Sequence, residues 1–321
     1  MNTQKSLYEY ILQSMKDGCL EDGFSLPKPE DETGISFADG ALDGITVYHM
    51  QSTHLNEEGT GLMLKALAFA AEGNVGEADP AFAALGRSFR AVSIIDELQS
   101  YIIEHQEKLP ASNVYRTALH LILHSADRES VKFGLSILEL FKAGDESVKE
   151  AVRTLGSSDE FTIFSVWNML RWENANREIF ELIKKVRGWG RIHALERLEP
   201  ETPEISDWIL HCGVDNDVMP AYSALTAWEK AGVQERLQDR ITQDEFEAVG
   251  RIISALLDEG PVQGISAIEN AGDIIMKYLA FADSFSLGDE DRQTIEELMK
   301  WAQREETALP EIVQKCSLIL K

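Results

Sequence analysis

Two histidines of this chain have the spacing of a metal-binding pair. His120 and His124 stand four residues apart in a segment with helical periodicity, which would place both imidazoles on one helix face. A metal ion needs further ligands, and Asp127 is the one carboxylate close by, while no glutamate stands between the histidines as in an HExxH motif. Because leucine and isoleucine surround both residues, we interpret them as an ordinary helix face. We predict neither a metal site nor a cofactor.

Two aspartates in a stretch rich in glycine and proline are further candidates for chemistry. Asp39 and Asp43 are each followed by glycine, in a stretch from 19 to 54 that lacks helical periodicity and contains a possible short strand at 45–50. Asp-Gly pairs favour turns, because glycine accepts a positive φ and aspartate bonds its own backbone. A calcium loop would need more oxygen ligands and a distal glutamate. We therefore predict two consecutive turns in an acidic loop, where both carboxylates are possible catalytic groups.

One basic stretch could contact an anion or a nucleic acid base. Aromatic and cationic side chains together suit base stacking, but five cations attract phosphates weakly in a chain with a net charge of −25. The simpler interpretation is a cationic helix C-terminus that interacts favourably with its own helix dipole. We predict that the chain does not bind nucleic acids. The stretch contains Lys184, Lys185, Arg187, Trp189, Arg191 and, further on, Arg197.

The composition indicates an acidic protein with a sizeable core. Of 321 residues 44% are hydrophobic, and 55 acidic residues outnumber 30 basic ones. Residues 1–60 carry −8 and residues 240–321 carry −8, so the chain should repel phosphates and anionic lipids and attract basic partners. Cys19, Cys212 and Cys316 form no CxxC pair, and neither a signal peptide nor a run of 18 apolar residues is found. We expect a reduced, cytoplasmic protein that does not associate with membranes.

Five copies of a short pattern dominate the middle of the chain. Their third members are about 30 residues apart, which is typical of a solenoid of stacked helix pairs. Apolar residues around each third member form one helical stripe, so Trp167 and its equivalents should be buried, while the first members should face away from the core. A second helix follows, as at Thr202-Pro203, where threonine can cap the helix and proline suits its first turn. The copies are Ser136-Ile137-Leu138, Ser165-Val166-Trp167, His193-Ala194-Leu195, Ser223-Ala224-Leu225 and Ser254-Ala255-Leu256.

The chain resembles the HEAT-repeat family of α-solenoids in the segment Arg191-Ile192-His193-Ala194-Leu195-Glu196-Arg197-Leu198 and in the Pro203-Glu204-Ile205 that follows. The resemblance implies an all-α fold, a right-handed α-solenoid of helix pairs that follows an irregular acidic N-terminal segment. It implies no particular activity, because such arrays serve as scaffolds, inhibitors and occasionally enzymes. We divide the chain into an N-terminal helix with a long acidic loop (1–56), the helical start of the array (57–127), HEAT-like repeats (128–285) and capping helices (286–321).

One repeat departs from the pattern at two positions. Arg191 occupies a column that is otherwise small or apolar, and His193 replaces the serine of the other four copies. An arginine on a core-facing stripe must extend to solvent, pair with an acid or point into a groove. Sequence drift in the first turn of a helix would also explain both residues. A binding site here would contain Trp189, Arg191 and His193, with Arg171 and Trp172 from the preceding repeat.

The leading hypothesis for the function is a non-catalytic protein-binding scaffold. Solenoids present a concave surface built from second helices, and acids on that surface would attract a basic protein or peptide. No phosphate loop, nucleophile elbow or dinucleotide fingerprint favours an enzyme. An enzyme or small-ligand-binding protein with a site near Trp189 is the alternative, and a nucleic-acid-binding HEAT protein is a further one that the charge disfavours. The acids predicted on second helices are Glu178, Glu181, Glu204 and Asp207.

Overall fold

The computed structural model describes residues 5–28, 37–50, 54–142, 144–238, 240–260, 262–304 and 307–321. Within these ranges the regular secondary structure is almost entirely helical, which confirms the all-α fold class. The only strands in the described ranges are β1 (Met15–Lys16) and β2 (Cys19–Leu20), an antiparallel pair in which Met15 lies opposite Leu20. No helix in the described part of the chain is both long and apolar enough to cross a lipid bilayer.

The chain divides into two compact units, residues 1–197 and 198–321, and the boundary lies inside the segment predicted as repeats. The helices of the first unit are α1 (Leu7–Ser14), α2 (Ala41–His49), α3 (Glu57–Glu72), α4 (Val75–Ser88), α5 (Ala91–Glu104), α6 (Ala111–His124), α7 (Arg128–Leu138), α8 (Glu146–Gly156), α9 (Thr162–Met169), α10 (Ala175–Ile183) and α11 (Trp189–Arg197). Those of the second unit are α12 (Pro203–Cys212), α13 (Ala221–Lys230), α14 (Val233–Arg236), α15 (Gln243–Leu256), α16 (Ala271–Phe281), α17 (Asp289–Ala302) and α18 (Pro310–Ile319), with 3-10 turns at Ile265–Ala267 and Ala282–Ser284.

Side-chain caps fix the beginning of several helices. The Asp127 carboxylate accepts a hydrogen bond from the amide of Ser130 and so caps α7. The Thr202 hydroxyl accepts from the amide of Ile205, with proline in the first turn, as the sequence predicts for α12. Each cap satisfies an amide that the first turn of a helix leaves without a partner.

The repeated pattern is buried differently from the prediction. Its second members are buried in all five copies, but Trp167 is only half-buried, because it lies at the one open edge of α9. The first members were expected to face away from the core, yet Ser136, Ser165, His193 and Ser223 are buried. The prediction for Trp167 is therefore wrong, although the third members Leu138, Leu195 and Leu256 are buried as predicted, and the prediction for the first members is wrong for these four. The reason is that neighbouring helices cover these helices on several sides, so that small serines fit where helices pack closely.

Helix α2 lies where the sequence predicted turns and a possible strand. The β-branched residues at 45–47 favour a strand locally, but tertiary contacts of Asp43 and Gly44, both buried, hold the segment as a helix. Gly40 begins the helix with a φ of 76°, a conformation that suits glycine. The second Asp-Gly pair is thus the first turn of α2, and the prediction of two consecutive turns is wrong there.

Candidate functional site

The most unusual side chain of the fold is a buried lysine in the middle of α7. Lys132 exposes only 1% of its side chain, because α4, α5, α6 and α9 pack around α7. Its Nζ lies 2.6 Å from Asp43 Oδ2, 2.6 Å from Glu160 Oε1 and 2.9 Å from Glu129 Oε1. Removing an ammonium from water costs several kcal/mol, so it is tolerated here only because three carboxylates surround it.

A first arginine extends these contacts toward the N-terminal segment. Arg128 Nη1 lies 3.0 Å from Asp39 Oδ1 and 3.2 Å from Glu160 Oε2. Its Nη2 donates to the carbonyl oxygens of Leu26 and Pro27. The amide of Leu26 in turn donates to Asp39 Oδ2 at 2.8 Å. Arg128 therefore fastens the segment before α2 to the start of α7.

A second arginine is held more loosely. Arg90 Nη1 lies 3.5 Å from Glu129 Oε1 and 3.7 Å from Asp43 Oδ1, and 34% of its side chain is exposed. Four carboxylates thus share three cations within a largely buried region. We name this set the charge cluster, and its members are Asp39, Asp43, Arg90, Arg128, Glu129, Lys132 and Glu160.

Two carboxylates of the charge cluster also satisfy the first amides of neighbouring helices. Glu160 Oε2 accepts from the amide of Gly40 at 2.8 Å, at the start of α2. Glu129 Oε2 accepts from the amide of Ala91 at 2.7 Å, at the start of α5. Neither helix has a side-chain cap of its own. These distant acids therefore do the work of caps and complement the positive ends of two helices.

Burial and the neighbouring charges together shift the pKa values of the charge cluster. Burial raises the pKa of Asp43 to about 6, and the attraction of Lys132 offsets the effect only in part. Burial would also raise the pKa of Glu160, but Lys132 and Arg128 outweigh it and leave that pKa below its usual value. For Lys132, burial favours the neutral amine, yet the surrounding carboxylates raise its pKa well above the usual value. Lys132 is therefore a charged anchor, and Asp43 is the carboxyl that titrates.

Asp43 should make the folded protein less stable as the pH rises from 5 to 7.5. The pKa of Asp43 is raised from 3.8 to about 6 in the folded protein, so the folded state holds the proton of this carboxyl more tightly than the unfolded state. The resulting stabilisation is fully present below a pH of 3.8 and is lost as the pH rises through 6. We expect the difference in unfolding free energy between wild type and Asp43→Asn to move by about 1 kcal/mol in favour of the variant over this interval. Urea unfolding at both pH values measures it. An unchanged difference would mean that Asp43 does not titrate in this range.

A cavity of about 770 Å³ opens beside the charge cluster in the first unit. Arg90, Arg128, Glu129 and Glu160 belong to both. The volume lies in the range of pockets that hold small molecules, about 300–1,000 Å³. The remaining wall comes from α1, α4, the connection before α7 and the segments before and within α2: Lys5, Leu7, Tyr10, Pro27, Lys28, Phe37, Ala38, Leu42, Asp79, Pro80, Ala83, Gly86, Arg87, Ser125, Ala126 and Asp127.

The predicted site residues Trp189 and His193 hold the other side of α2. Both are buried, with exposed fractions of 5% and 2%. The ring of Tyr48 lies 5.8 Å from that of Trp189 and 6.1 Å from that of His193, and its hydroxyl donates to Glu196. A side chain at Gly44 would collide with the indole of Trp189. These aromatic residues therefore pack α2 onto α11, and α2 joins them to the charge cluster.

The other residues of that predicted site lie apart from α2. Arg191 is partly exposed on α11. Arg171 is exposed, whereas Trp172 is buried beneath Lys149 and Arg153 of α8, whose charged groups lie 5.2 Å and 5.3 Å from its ring. The cleft next to Arg171 and Trp172 encloses about 10 Å³, room for about one water molecule. The structure thus gives Trp172 packing contacts with α8.

Most acids predicted on the second helices already have cationic partners. Glu204 is exposed on α12, and Glu178, Glu181 and Asp207 form ion pairs with lysine or arginine of this chain. Such pairs reduce the negative potential that a basic partner would meet. The basic stretch is also partly neutralised, because Arg187 lies 3.0 Å from Asp22. The pairs are Glu178–Arg153 at 2.8 Å, Glu181–Lys184 at 2.7 Å and Asp207–Arg236 at 2.7 Å.

The two histidines of the possible metal pair lie side by side on α6. The rings of His120 and His124 have centroids 5.3 Å apart, and burial lowers the pKa of His120. Asp127 is engaged as the cap of α7. Among the described residues, no group of three or more histidine, cysteine, aspartate or glutamate side chains could hold a metal ion.

Sequence reasoning missed the centre of this site. Asp39 and Asp43 were singled out, but Lys132, Glu160 and Arg90 were not. A signal for Lys132 was its place between Val131 and Phe133 in a largely apolar helix. Comparison of the chain with family models, with curated proteins and with solved structures found no match.

Proposed function

We propose that the chain is a non-catalytic ligand-binding protein whose site is the cavity beside the charge cluster. A HEAT-like, right-handed solenoid is the architecture that we propose for its helix pairs. It is supported by the packing of α7 on α9 and of α9 on α11, with α8 and α10 each contacting α9. In a solenoid of this kind each repeat contacts mainly the repeats next to it in sequence, and extended surfaces stay available for ligands.

The position of the charge cluster in the wall of an open cavity carries this proposal. Buried ion pairs generally stabilise a fold no better than apolar residues of similar volume. Charged groups with a shifted pKa in a concave site are, by contrast, typical of functional sites. Four members of the charge cluster line the cavity, and the same cluster fixes α2. A ligand in the cavity would therefore contact charged groups of the cluster, two of which, Glu129 and Glu160, hold the fully buried Lys132.

A scaffold for a basic polypeptide is the second candidate. The net charge of −25 supports it. So do Asp289, Glu290 and Glu296, which are exposed on α17 and have no ion pair within the described ranges. Most acids on the second helices already form ion pairs within the chain, and a basic partner would have to break those pairs to bind there. Binding at the acids of α17 would break fewer internal ion pairs.

A cavity-filling variant tests the leading proposal. Ala83 lines the cavity on α4, and Ala83→Trp would occupy part of it. Ser88→Trp places the same indole on the exposed end of the same helix, outside the cavity lining. Native mass spectrometry of the protein incubated with a protein-free cytosolic extract should show a small molecule bound to wild type and to Ser88→Trp, but not to Ala83→Trp.

Two results would contradict the proposal. One is that wild type binds no small molecule from an extract in which a known binding protein, used as a positive control, does capture its ligand. The other is that Ala83→Trp retains the same ligand as wild type, which would place the site elsewhere. Circular dichroism and thermal unfolding of both variants show whether the fold is kept, so a loss of binding can be assigned to the cavity. Basic peptides that bind with either tryptophan in place would favour the scaffold.

A further inference from the structure

We infer that the cavity binds a small amphipathic anion, a carboxylate or phosphomonoester head on an apolar body. This inference rests on the proposed function of the cavity. It follows from three properties of the wall: its acids have internal partners, some of its cations do not, and apolar side chains lie between them.

The carboxylates of the cavity wall are engaged inside the protein. Glu160 contacts Lys132 and Arg128 and accepts from an amide of α2. Glu129 contacts Lys132 and accepts from the first amide of α5. Asp127 caps α7. These carboxylate oxygens already accept hydrogen bonds from groups of the chain. A cationic ligand would therefore gain little by leaving water to contact them.

The Asp79 carboxylate is engaged in the same way. Its Oδ1 accepts a hydrogen bond from the hydroxyl of Ser125 at 2.8 Å, and Ser125 is itself buried. All four acids of the cavity wall therefore have partners within the chain.

The cations of the wall are less engaged. Arg87 is exposed at the end of α4, and no carboxylate of the described residues lies within 4.0 Å of its guanidinium. Lys5 lies over the ring of Tyr10 at 5.2 Å, likewise without a described acid beside it. Arg90 is one-third exposed, and its acids are 3.5 Å and 3.7 Å away. In a chain with 25 excess negative charges, this wall is a local site for an anion, and arginine suits carboxylate and phosphate oxygens.

Apolar side chains give the cavity room for an uncharged body. Leu7, Leu42, Pro80 and Ala83 line it, and Phe37 is 45% exposed there. An exposed phenylalanine in the same cavity wall as arginines suits a ligand with both an apolar and an acidic part. A free inorganic ion would leave this apolar wall in contact with water, so the geometry favours an organic anion.

Four probes with the same eight-carbon chain test the charge of the head. Octanoate and octyl phosphate are anionic, octanol is neutral and octylamine is cationic. We expect titration calorimetry to show binding of at least one anion, about tenfold tighter than octanol, with no binding of octylamine. The two anions distinguish a carboxylate site from a phosphate site. Binding should weaken as salt is raised, because the rim charges are exposed.

Variants locate the head and the body. Arg87→Gln should weaken binding of the anions about tenfold and leave octanol unchanged, and Arg87 is exposed enough for the variant to keep its fold. Arg292→Gln removes an exposed arginine of α17 in the second unit and should have no effect. Arg90→Gln is a further test of the head, with thermal unfolding as its check. Ala83→Trp should abolish binding of both anions.

Each contrary result has a distinct meaning. Octanol or octylamine binding better than the anions, and lost in Ala83→Trp, would overturn the inferred charge and keep the cavity as the binding site. Binding of the anions that is unchanged in Arg87→Gln, Arg90→Gln and Ala83→Trp would overturn the inference at this site. Failure of every probe would overturn it as well, while the extract experiment separately decides whether the cavity binds any small molecule.

Discussion

Replacing Lys132 with methionine is expected to lower the free energy of unfolding by about 3–5 kcal/mol. Methionine has a similar length but no charge, so the carboxylates of Asp43, Glu129 and Glu160 would be left around an uncharged thioether. Arg90 contacts two of these acids only at 3.5 Å and 3.7 Å, so it cannot take the place of the lysine. Urea unfolding at pH 7, followed by circular dichroism, measures the loss.

Two further variants separate charge from size. Lys65→Met makes the same change at an exposed position of α3 and should cost less than about 0.5 kcal/mol. Adding Asp43→Asn and Glu160→Gln to Lys132→Met removes two of the uncompensated charges and should recover much of the stability. If Lys132→Met is as stable as Lys65→Met, then the buried ion pairs contribute nothing to holding α2 and α7 together.

Replacing Trp189 with alanine should also cost about 3–5 kcal/mol, the usual range for removing a buried aromatic side chain. The indole is 5% exposed and fills the space between Gly44, Tyr48 and His193. The same unfolding measurement applies, with Leu170→Ala as the comparison, since Leu170 is 43% exposed. If Trp189→Ala is as stable as wild type, the indole does not hold α2 on α11, and Trp189 would again be a candidate for ligand binding.

A pair of glycine substitutions checks the same contact from α2. A Cβ at Gly44 would lie 2.1 Å from the indole Cε3 of Trp189, whereas at Gly61 of α3 it would meet no atom within 4 Å. Gly61→Ala should therefore stabilise the protein by about 0.5–1 kcal/mol through helix propensity. Gly44→Ala should destabilise it by about 1–3 kcal/mol, as overpacking does. An effect of the same sign in both variants would mean that α2 does not pack on Trp189 as described.

Local patterns in the sequence predicted much of the helical fold. The cap at Thr202 and the proline that follows it are confirmed, because both depend on residues within one helical turn of each other. The buried second members of the repeated pattern follow from helical periodicity in the same way. The burial of His193 did not follow, because it depends on the contact with Tyr48 of α2, which is distant in sequence.

The candidate site could not be predicted, because its members meet across long stretches of chain. Gly40 and Glu160 are 120 residues apart, and their hydrogen bond is invisible in any local pattern. The apolar neighbours of Lys132 in the sequence indicate a mainly buried helix, but the three carboxylates that make its burial tolerable come from Asp43, Glu129 and Glu160, two of them distant in sequence. Segment 41–49 has little helical periodicity, and it is helical because Asp43 and Gly44 each meet a specific partner.

The shared partners of Lys132 constrain how this sequence can diverge. A mutation of Asp43 or Glu160 alone changes the charge balance around the same ammonium, so its effect depends on which other members of the charge cluster are present. Gradual replacement, one residue at a time, would pass through unstable intermediates. We therefore expect descendants of this chain either to retain Asp43, Lys132 and Glu160 together or to have exchanged all three for apolar side chains. The three positions should then co-vary, although they lie on separate elements of the fold.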